Sequence, residues 1–488
     1  MAGAKRAPHS KTRLGCGACK KRRIKCDGRH PVCANCERRA LDCSFLLLVP
    51  TSRLPSTALT TTSSSTSSVN STPYTVGVFK STASSLTSTL ESFHITPSNA
   101  TSPSSRPSPS PSQQSLPSTD PWSQCRASLE PFQRVLLDRY LSSTCRTLAT
   151  DEEEQDVWQN IIPSMASRHR FLIYGVLSVA SLDLARLPER QHERDNLYRI
   201  AADQMNRAIS LFRVALEDIN ESNAAALFAH STLTAVYFFR TSALDMSEAR
   251  ATVPSEGISE PPVHVIDEML HSFVRTVWGL RGALTVLKPG WNWVIGGELS
   301  PICTREWWPK HRIPQTERAK EEDARLAELE KLWVSSQDGE WQCQKDPLLQ
   351  GHSYDPQVKS LLSKALESLR NTYTLVSLLT DPLSNWPSKT EIPYLVDDTT
   401  VGMLKDRATI FTWPVGLAPE FISLAQQKMP EVLVIVAHYA VLLGRVRGIW
   451  WIEGLGTNTV WAVAKALGRE KWHLVQWPAQ ALGLDLES

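Results

Sequence analysis

The sequence predicts three successive parts: a small N-terminal domain of short helices built around cysteines, a disordered linker, and a large all-α domain. Six of the ten cysteines lie within the first 43 residues at regular spacing, and 44 of the 70 residues from Thr51 to Asp120 are Ser, Thr or Pro. The remainder carries apolar residues at helical spacing. We therefore place a basic arm at 1–15, the cysteine domain at 16–43, the linker at 44–120 and the helical domain at 121–488.

Positive charge is concentrated at the N-terminus. The formal net charge is only +2, but Met1 to Ser44 holds twelve Lys or Arg against three acids, a net +9, which leaves −7 for the rest. This region lacks the apolar stretch and cleavage site of a secretory signal, so we expect a reducing compartment and metal binding in preference to disulfides.

The cysteines follow one pattern twice, C-x2-C-x6-C from Cys16 and again from Cys33. Structural zinc takes four tetrahedral ligands, so two ions need eight ligand positions while six thiolates are present, and two thiolates must bridge. By symmetry the leading cysteine of each half is the natural bridge. We predict two zinc ions per chain, held by Cys16, Cys19, Cys26, Cys33, Cys36 and Cys43.

Three rival arrangements use the same cysteines. One is a single four-cysteine zinc site with two spare thiols, and another is three disulfides in a secreted domain. A cross-brace zinc finger would need eight separate ligands, and His30 alone does not supply the missing ones. The other four cysteines, Cys125, Cys145, Cys303 and Cys343, show no spacing pattern and are interpreted as ordinary thiols.

The double repeat resembles the fungal binuclear zinc-cluster regulators over about thirty residues. In that family the first helix enters the DNA major groove, and dimer spacing sets the separation of half-sites. The resemblance places Arg22 and Arg23 where the family reads a CGG-type triplet, and an arginine fork suits guanine O6 and N7. Lys20, Lys21 and Lys25 in the same interval are assigned to phosphates, and the same basic run is also expected to act as a nuclear-import signal. The second half contains Glu37 and Asp42, so we interpret it as support for the cluster.

The linker prediction depends on composition, because few of its residues are apolar enough to repay the entropy of ordering. Its Ser102 to Ser112 stretch is either a solvated spacer or a phosphorylation target. No heptad repeat follows the cysteines, so no coiled-coil dimerisation segment is visible there.

Beyond Pro121 the sequence predicts helices and few strands. One stripe runs from Leu197 to Ala215 and another from Val358 to Val376, the second capped by Asp355 and Pro356. Pro419 and Pro430 are predicted to open two further helices, and Thr241 to Pro262 is loosely excluded because it mixes Ser, Glu and Pro. No apolar run reaches the ~20 residues of a membrane span.

Several segments of this helical part resemble the sterol-uptake-control type of zinc-cluster regulator. They are HRFLIYGVLSVASLDLA from His169, VWGLRGALTVL from Val277, PEVLVIVAHYAVLLGR from Pro430, WWIEG from Trp450 and VQWP from Val475. The resemblance implies an α-helical regulatory domain, which in some members binds a sterol. Six tryptophans after position 412 therefore either line a pocket or pack the core, and His438 is expected to be a hydrogen-bonded core residue. Gly454 and Gly456 are predicted to mark a turn.

These features predict a nuclear transcription factor that binds a GC-rich, CGG-type element in double-stranded DNA. The resemblance implies an activator of a biosynthetic gene cluster for a specialised metabolite, with ligand-responsive control of sterol uptake or synthesis as the alternative. A ligand-controlled repressor that still binds DNA is a further hypothesis. A homodimer through the helical domain and an apolar small-molecule ligand remain open as partners. An enzyme with an accessory zinc module is the rival from another class, and no nucleophile motif, phosphate loop or metal-binding histidine pair supports it.

Overall fold

A computed structural model describes residues 19, 22, 24, 26, 34–39, 123–253, 261–334, 355–382, 395–396 and 402–486. The predicted basic arm and linker lie outside the described residues. Residues from 123 onward are mainly helical with few strands, which confirms the predicted all-α class for this part. A single large cluster of buried apolar side chains runs through its helices.

The helices before residue 335 include four long ones, α7 to α10. Two stretches of wider π-helix, Tyr140–Thr144 and Val157–Ile161, interrupt the early helices. The bounds are α1 Ala34–Glu37, α2 Ser123–Ser128, α3 Pro131–Arg139, α4 Cys145–Thr147, α5 Glu152–Asp156, α6 Ile162–Arg168, α7 Arg170–Ala185, α8 Arg194–Ala215, α9 Ala224–Ala251, α10 Val263–Ile295, α11 Ser300–Cys303 and α12 Glu317–Glu328.

The second half of the domain alternates helices with very short strands. Its bounds are α13 Pro356–Leu378, β1 Thr380–Pro382, β2 Leu395–Val396, β3 Gly402–Leu404, α14 Thr412–Gly416, α15 Pro419–Gln426, α16 Pro430–Arg445, β4 Val446–Arg447, α17 Leu455–Leu467 and α18 Gln476–Ala481. Short 3₁₀ segments at Pro188–Glu193, Leu329–Leu332, Arg407–Phe411 and Arg469–Val475 connect some of them.

Helix α7 is central because it is buried on every side: fourteen of its sixteen residues are buried, most of them apolar. Its two buried serines donate to carbonyl oxygens of α8, Ser178 to Ala201 and Ser181 to Leu197, both at 2.7 Å. These bonds satisfy hydroxyls that would otherwise be costly to bury.

Helices α16 and α17 approach unusually closely. A Cβ added at Gly456 would lie 2.5 Å from the carbonyl oxygen of Ala440 and 2.7 Å from Cα of Gly444, so only glycine fits there. Gly454 precedes α17 with φ of +82°, a left-handed conformation that favours glycine. The predicted turn is therefore confirmed at Gly454, whereas Gly456 lies inside the helix as a packing contact.

The strands form one antiparallel sheet in the order β1-β3-β2-β4. Thr380 pairs with Leu404, Leu395 with Met403, and Val396 with Val446. Because each strand has only two or three residues, the alternation of apolar and polar residues is too short to predict this sheet from the sequence.

Several predicted helix starts are confirmed. Helix α13 begins after Asp355, whose side chain accepts from the Gln357 amide at 3.0 Å, and α15 and α16 begin at Pro419 and Pro430. The exclusion of Thr241 to Pro262 is wrong for its first half, since α9 continues to Ala251. Helix formers fill that stretch, and its first proline comes only at Pro254.

The tryptophans after position 412 pack the core in the described structure. Trp413 is fully buried against Tyr439, with ring centroids 4.5 Å apart, and donates to the Ala365 carbonyl at 2.8 Å. His438 is buried with Nδ1 2.8 Å from the Val434 carbonyl oxygen, as expected of a core histidine. Among the described helices none alone is long and apolar enough to cross a bilayer; two sharply bent helix pairs together reach that length.

Candidate nucleic-acid interface

Three of the six predicted zinc ligands lie among the described residues, and all three are buried. Cys19 is 1 % exposed, Cys26 4 % and Cys36 1 %. They occur in a strongly basic segment whose described arginines are all at the surface. A segment this small and this charged has little apolar material to bury, so buried thiols fit a domain that folds around metal.

The first half of the repeat closes a helical turn at its second cysteine. Cys19 is helical, and its carbonyl oxygen accepts from the Ile24 amide at 3.1 Å, a bond spanning five residues that is typical of helix C-termini. Arg22 lies in the turn between them and is exposed, while Ile24 is half-buried. This turn therefore presents Arg22 to solvent beside a buried ligand position.

The second half forms the short helix α1 around Cys36. Arg38 folds back on that helix: its Nε donates to the Ala34 carbonyl at 3.2 Å and a terminal nitrogen donates to Asn35 Oδ1 at 2.9 Å. Arg39 follows, with its amide bonded to the Cys36 carbonyl at 3.1 Å and its side chain exposed. No described residue pairs with the Arg39 guanidinium.

Of the five residues predicted to contact DNA, Arg22 is described and exposed. Lys20, Lys21, Arg23 and Lys25 lie outside the described residues, as do the cysteines at 16, 33 and 43. Sequence reasoning set the second half aside because of its two acids, and so passed over Arg38 and Arg39. The repeat itself carries the missed signal, since Arg39 follows Cys36 by the same three positions as Arg22 follows Cys19.

Beyond the repeat, the polar clusters of the described residues stabilise the fold. Arg305, only 15 % exposed, contacts the buried carboxylates of Glu154 and Asp406. Desolvation by burial raises the pKa of Glu154, and the Arg407 and Arg305 charges oppose that shift. Asp183 is fully buried and accepts from Arg139 and Arg186, both at 2.7 Å. The described residues, which include only three of the six repeat cysteines, contain no group of three or more His, Cys, Asp or Glu side chains that could hold a metal ion.

One open surface cavity of about 400 Å³ lies beside α5 and the π-helical stretch that follows it. It is lined by Glu152, Glu153, Asp156, Val157, Ile161 and Pro301, and none of the tryptophans discussed above borders it. The aromatic residues near the C-terminus thus act through packing in the described structure.

Two known protein families match parts of this chain. The fungal Zn(2)-Cys(6) binuclear cluster domain matches residues 14–50, and the fungal specific transcription factor domain matches residues 135–250. The chain therefore contains the two domains that characterise fungal Zn2Cys6 transcription factors. Its cluster domain binds two zinc ions and binds DNA.

Individual relatives agree with this class. The chain is 26 % identical over 98 % of its length to a Zn(2)-C6 fungal-type transcription factor of Gibberella zeae, covering 87 % of that protein. It is 57 % identical to sterol uptake control protein 2 of Candida albicans, but over only 42 residues, 9 % of this chain and 6 % of that protein. White-opaque regulator 2 of the same organism is 61 % identical over 33 residues, 7 % of each protein. The likeness to both Candida proteins thus covers a small fraction of their length.

Proposed function

We propose that this transcription factor recognises a GC-rich, CGG-type element through the basic interval after Cys19. Arg22 and Arg23 read guanines, and Lys20, Lys21 and Lys25 contact phosphates. The observation that supports this proposal is the exposed turn at Arg22, which follows directly on the buried Cys19. All six repeat cysteines serve as zinc ligands, with the leading cysteine of each half as the bridge.

The proposed organisation assigns residues 16–43 to DNA binding, 44–120 to a linker and 121–488 to regulation. The protein acts in the nucleus and carries out no catalytic step. Dimerisation, if the target contains paired half-sites, is assigned to the helical domain. The large apolar core of the helical domain supports this proposal, because regulation and dimerisation both require a stably folded domain.

An Arg23→Ala variant tests the base-reading assignment. Loss of a bidentate contact to guanine should reduce discrimination between matched and mismatched sites by about 1 to 3 kcal/mol. Binding is measured by fluorescence anisotropy with the full chain on a CGG-containing duplex and on the same duplex with that triplet changed. Equal weakening on both duplexes would reassign Arg23 to the phosphates.

For the biological role, we propose activation of a biosynthetic gene cluster for a specialised metabolite. The support is the general resemblance to regulators with this domain order. Control of sterol supply is the second candidate, favoured by the 57 % identity to sterol uptake control protein 2 over 42 residues. Mapping of bound promoters in the native organism, combined with transcript changes on deletion, separates the two. Contiguous biosynthetic genes that fall silent support the first, and bound sterol-supply genes support the second.

A further inference from the structure

The two halves of the cysteine repeat differ in charge but share one exposed feature. Between Cys16 and Cys26 the side chains sum to +5, whereas between Cys33 and Cys43 two arginines and two acids cancel. A half without net charge has no general attraction for DNA. Any DNA contact from that half must therefore come from a specifically placed side chain.

Arg39 is placed in this way. It follows the buried Cys36 at the same offset as Arg22 follows the buried Cys19, and both arginines are exposed. The neighbouring Arg38 donates hydrogen bonds to the Ala34 carbonyl oxygen and to Asn35 Oδ1 on its own helix. Arg39 has no partner among the described residues, so its guanidinium keeps all its donors available for an external acceptor.

A domain as short as the proposed cluster domain is small compared with DNA. A compact domain of about 28 residues has a radius of gyration of about 8 Å, while the major groove is about 12 Å wide. When the first half occupies the groove, an extended arginine on the other half can reach a flanking phosphate. Phosphate contacts from arginine fix the orientation of a protein on the duplex without reading sequence.

We infer that Arg39 is a second-half phosphate contact that orients the zinc cluster on its DNA site. The inference rests on the proposed DNA contacts of the first half and adds a positioning residue from the half that the charge pattern had set aside. It requires that the contribution of Arg39 to affinity be independent of base sequence, and that it be larger than that of Arg38.

The test compares Arg39→Gln with Arg38→Gln, a matched control that removes the same charge one position away. Affinity of the full-length, zinc-loaded chain is measured by anisotropy on matched and mismatched duplexes across a range of salt concentrations. Loss of one phosphate contact should lower the slope of log affinity against log salt by about 0.9 and weaken binding about eightfold at 0.1 M salt, equally on both duplexes. Arg38→Gln should change the slope by less than half as much.

Arg39→Lys adds a rescue that separates a DNA contact from a structural role, because lysine also binds phosphate as a point charge. It should recover most of the affinity, and zinc content should stay at two ions in every variant. The inference is overturned if the two glutamine variants lose the same affinity, or if Arg39→Gln weakens only the matched site. Failure of the wild-type chain to discriminate the CGG-type duplex would instead refute the proposed base reading, and the salt slopes would still decide the role of Arg39.

Discussion

Two buried histidines predict that the helical domain loses stability in mild acid. His438 in α16 stacks on Trp477, with ring centroids 5.5 Å apart, and burial lowers its pKa from 6.5 to about 4. His230 in α9 is surrounded by aromatic rings, and burial lowers its pKa to about 3. Both folded-state pKa values lie below that of an unfolded histidine, so the unfolded state takes up protons first as the pH falls. The stability is intact above pH 6.5 and is lost progressively below it.

The size of the effect follows from these pKa values. At pH 5.5 an unfolded histidine is about 90 % protonated, whereas both buried rings remain neutral. Each histidine therefore lowers the free energy of unfolding by between about 1 and 2 kcal/mol relative to pH 7.5. The two together should reduce the free energy of unfolding by about 3 kcal/mol. Glu154 and Asp245, whose pKa values are raised by burial, act in the opposite direction as the pH falls. A difference between variants is therefore more informative than the wild-type curve alone.

Replacement of His438 by Asn isolates one of the two contributions. The amide nitrogen of asparagine can take the place of Nδ1, which lies 2.8 Å from the Val434 carbonyl oxygen, but it does not titrate. Urea unfolding is followed by tryptophan emission, because all 16 tryptophans lie at or beyond residue 122 and report on the helical domain alone. The variant should lose between about 1 and 2 kcal/mol less than wild type on going from pH 7.5 to 5.5. Identical pH dependence in the two proteins would refute the assignment.

The remaining predictions concern packing, charge and metal. Arg305→Met removes the cation that Glu154 and Asp406 share, although Arg407 still offsets part of the charge on Glu154. It should cost up to about 3 to 5 kcal/mol at pH 7.5, less at low pH where the carboxylates become protonated, as measured by urea unfolding. Gly456→Ala forces a Cβ into the backbone of α16 and should cost at least about 1 to 3 kcal/mol. The control Gly282→Ala, whose added Cβ would meet open space among the described residues beyond its own helix backbone, should be neutral or slightly stabilising. Cys19→Ser should lower the zinc content below two ions per chain and abolish DNA binding, whereas Cys303→Ser should retain both; unchanged metal content in the Cys19 variant would contradict its role as a ligand.

Local signals in the sequence were sufficient for much of the fold. A proline in the first turn marks where a helix begins, with a side-chain cap from Asp355 before α13 and without one before α16 at Pro430. The end of α9 was missed because the mixed Ser, Glu and Pro content of Thr241 to Pro262 hides the helix formers that precede Pro254; the helix also buries Met246. The sheet was missed because Thr380 and its partner Leu404 lie far apart in the chain.

At the candidate site, the sequence predicts the metal but not all of the residues proposed to contact DNA. Ligand number and tetrahedral geometry determine what the cysteine spacing can hold, so the metal could be predicted from residue types alone. The proposed role of Arg39 could not be predicted, because Glu37 and Asp42 cancel the charge that marks a DNA-binding segment. Both Arg38 and Arg39 are exposed, and what distinguishes Arg39 is that no described residue pairs with its side chain.

The two parts of the protein draw their stability from different sources. The cluster domain has cysteines in place of an apolar core, so its folding is coupled to zinc. The helical domain buries one continuous apolar cluster that includes Trp413 and needs no metal for its core. Removal of zinc should therefore eliminate DNA binding without unfolding the helical domain. Acid weakens both parts by different routes: it destabilises the helical domain because unfolded His438 takes up a proton, and it weakens zinc binding because it protonates the cysteine thiolates. Zinc removal and acid should therefore be distinguishable, since only acid changes the stability of the helical domain.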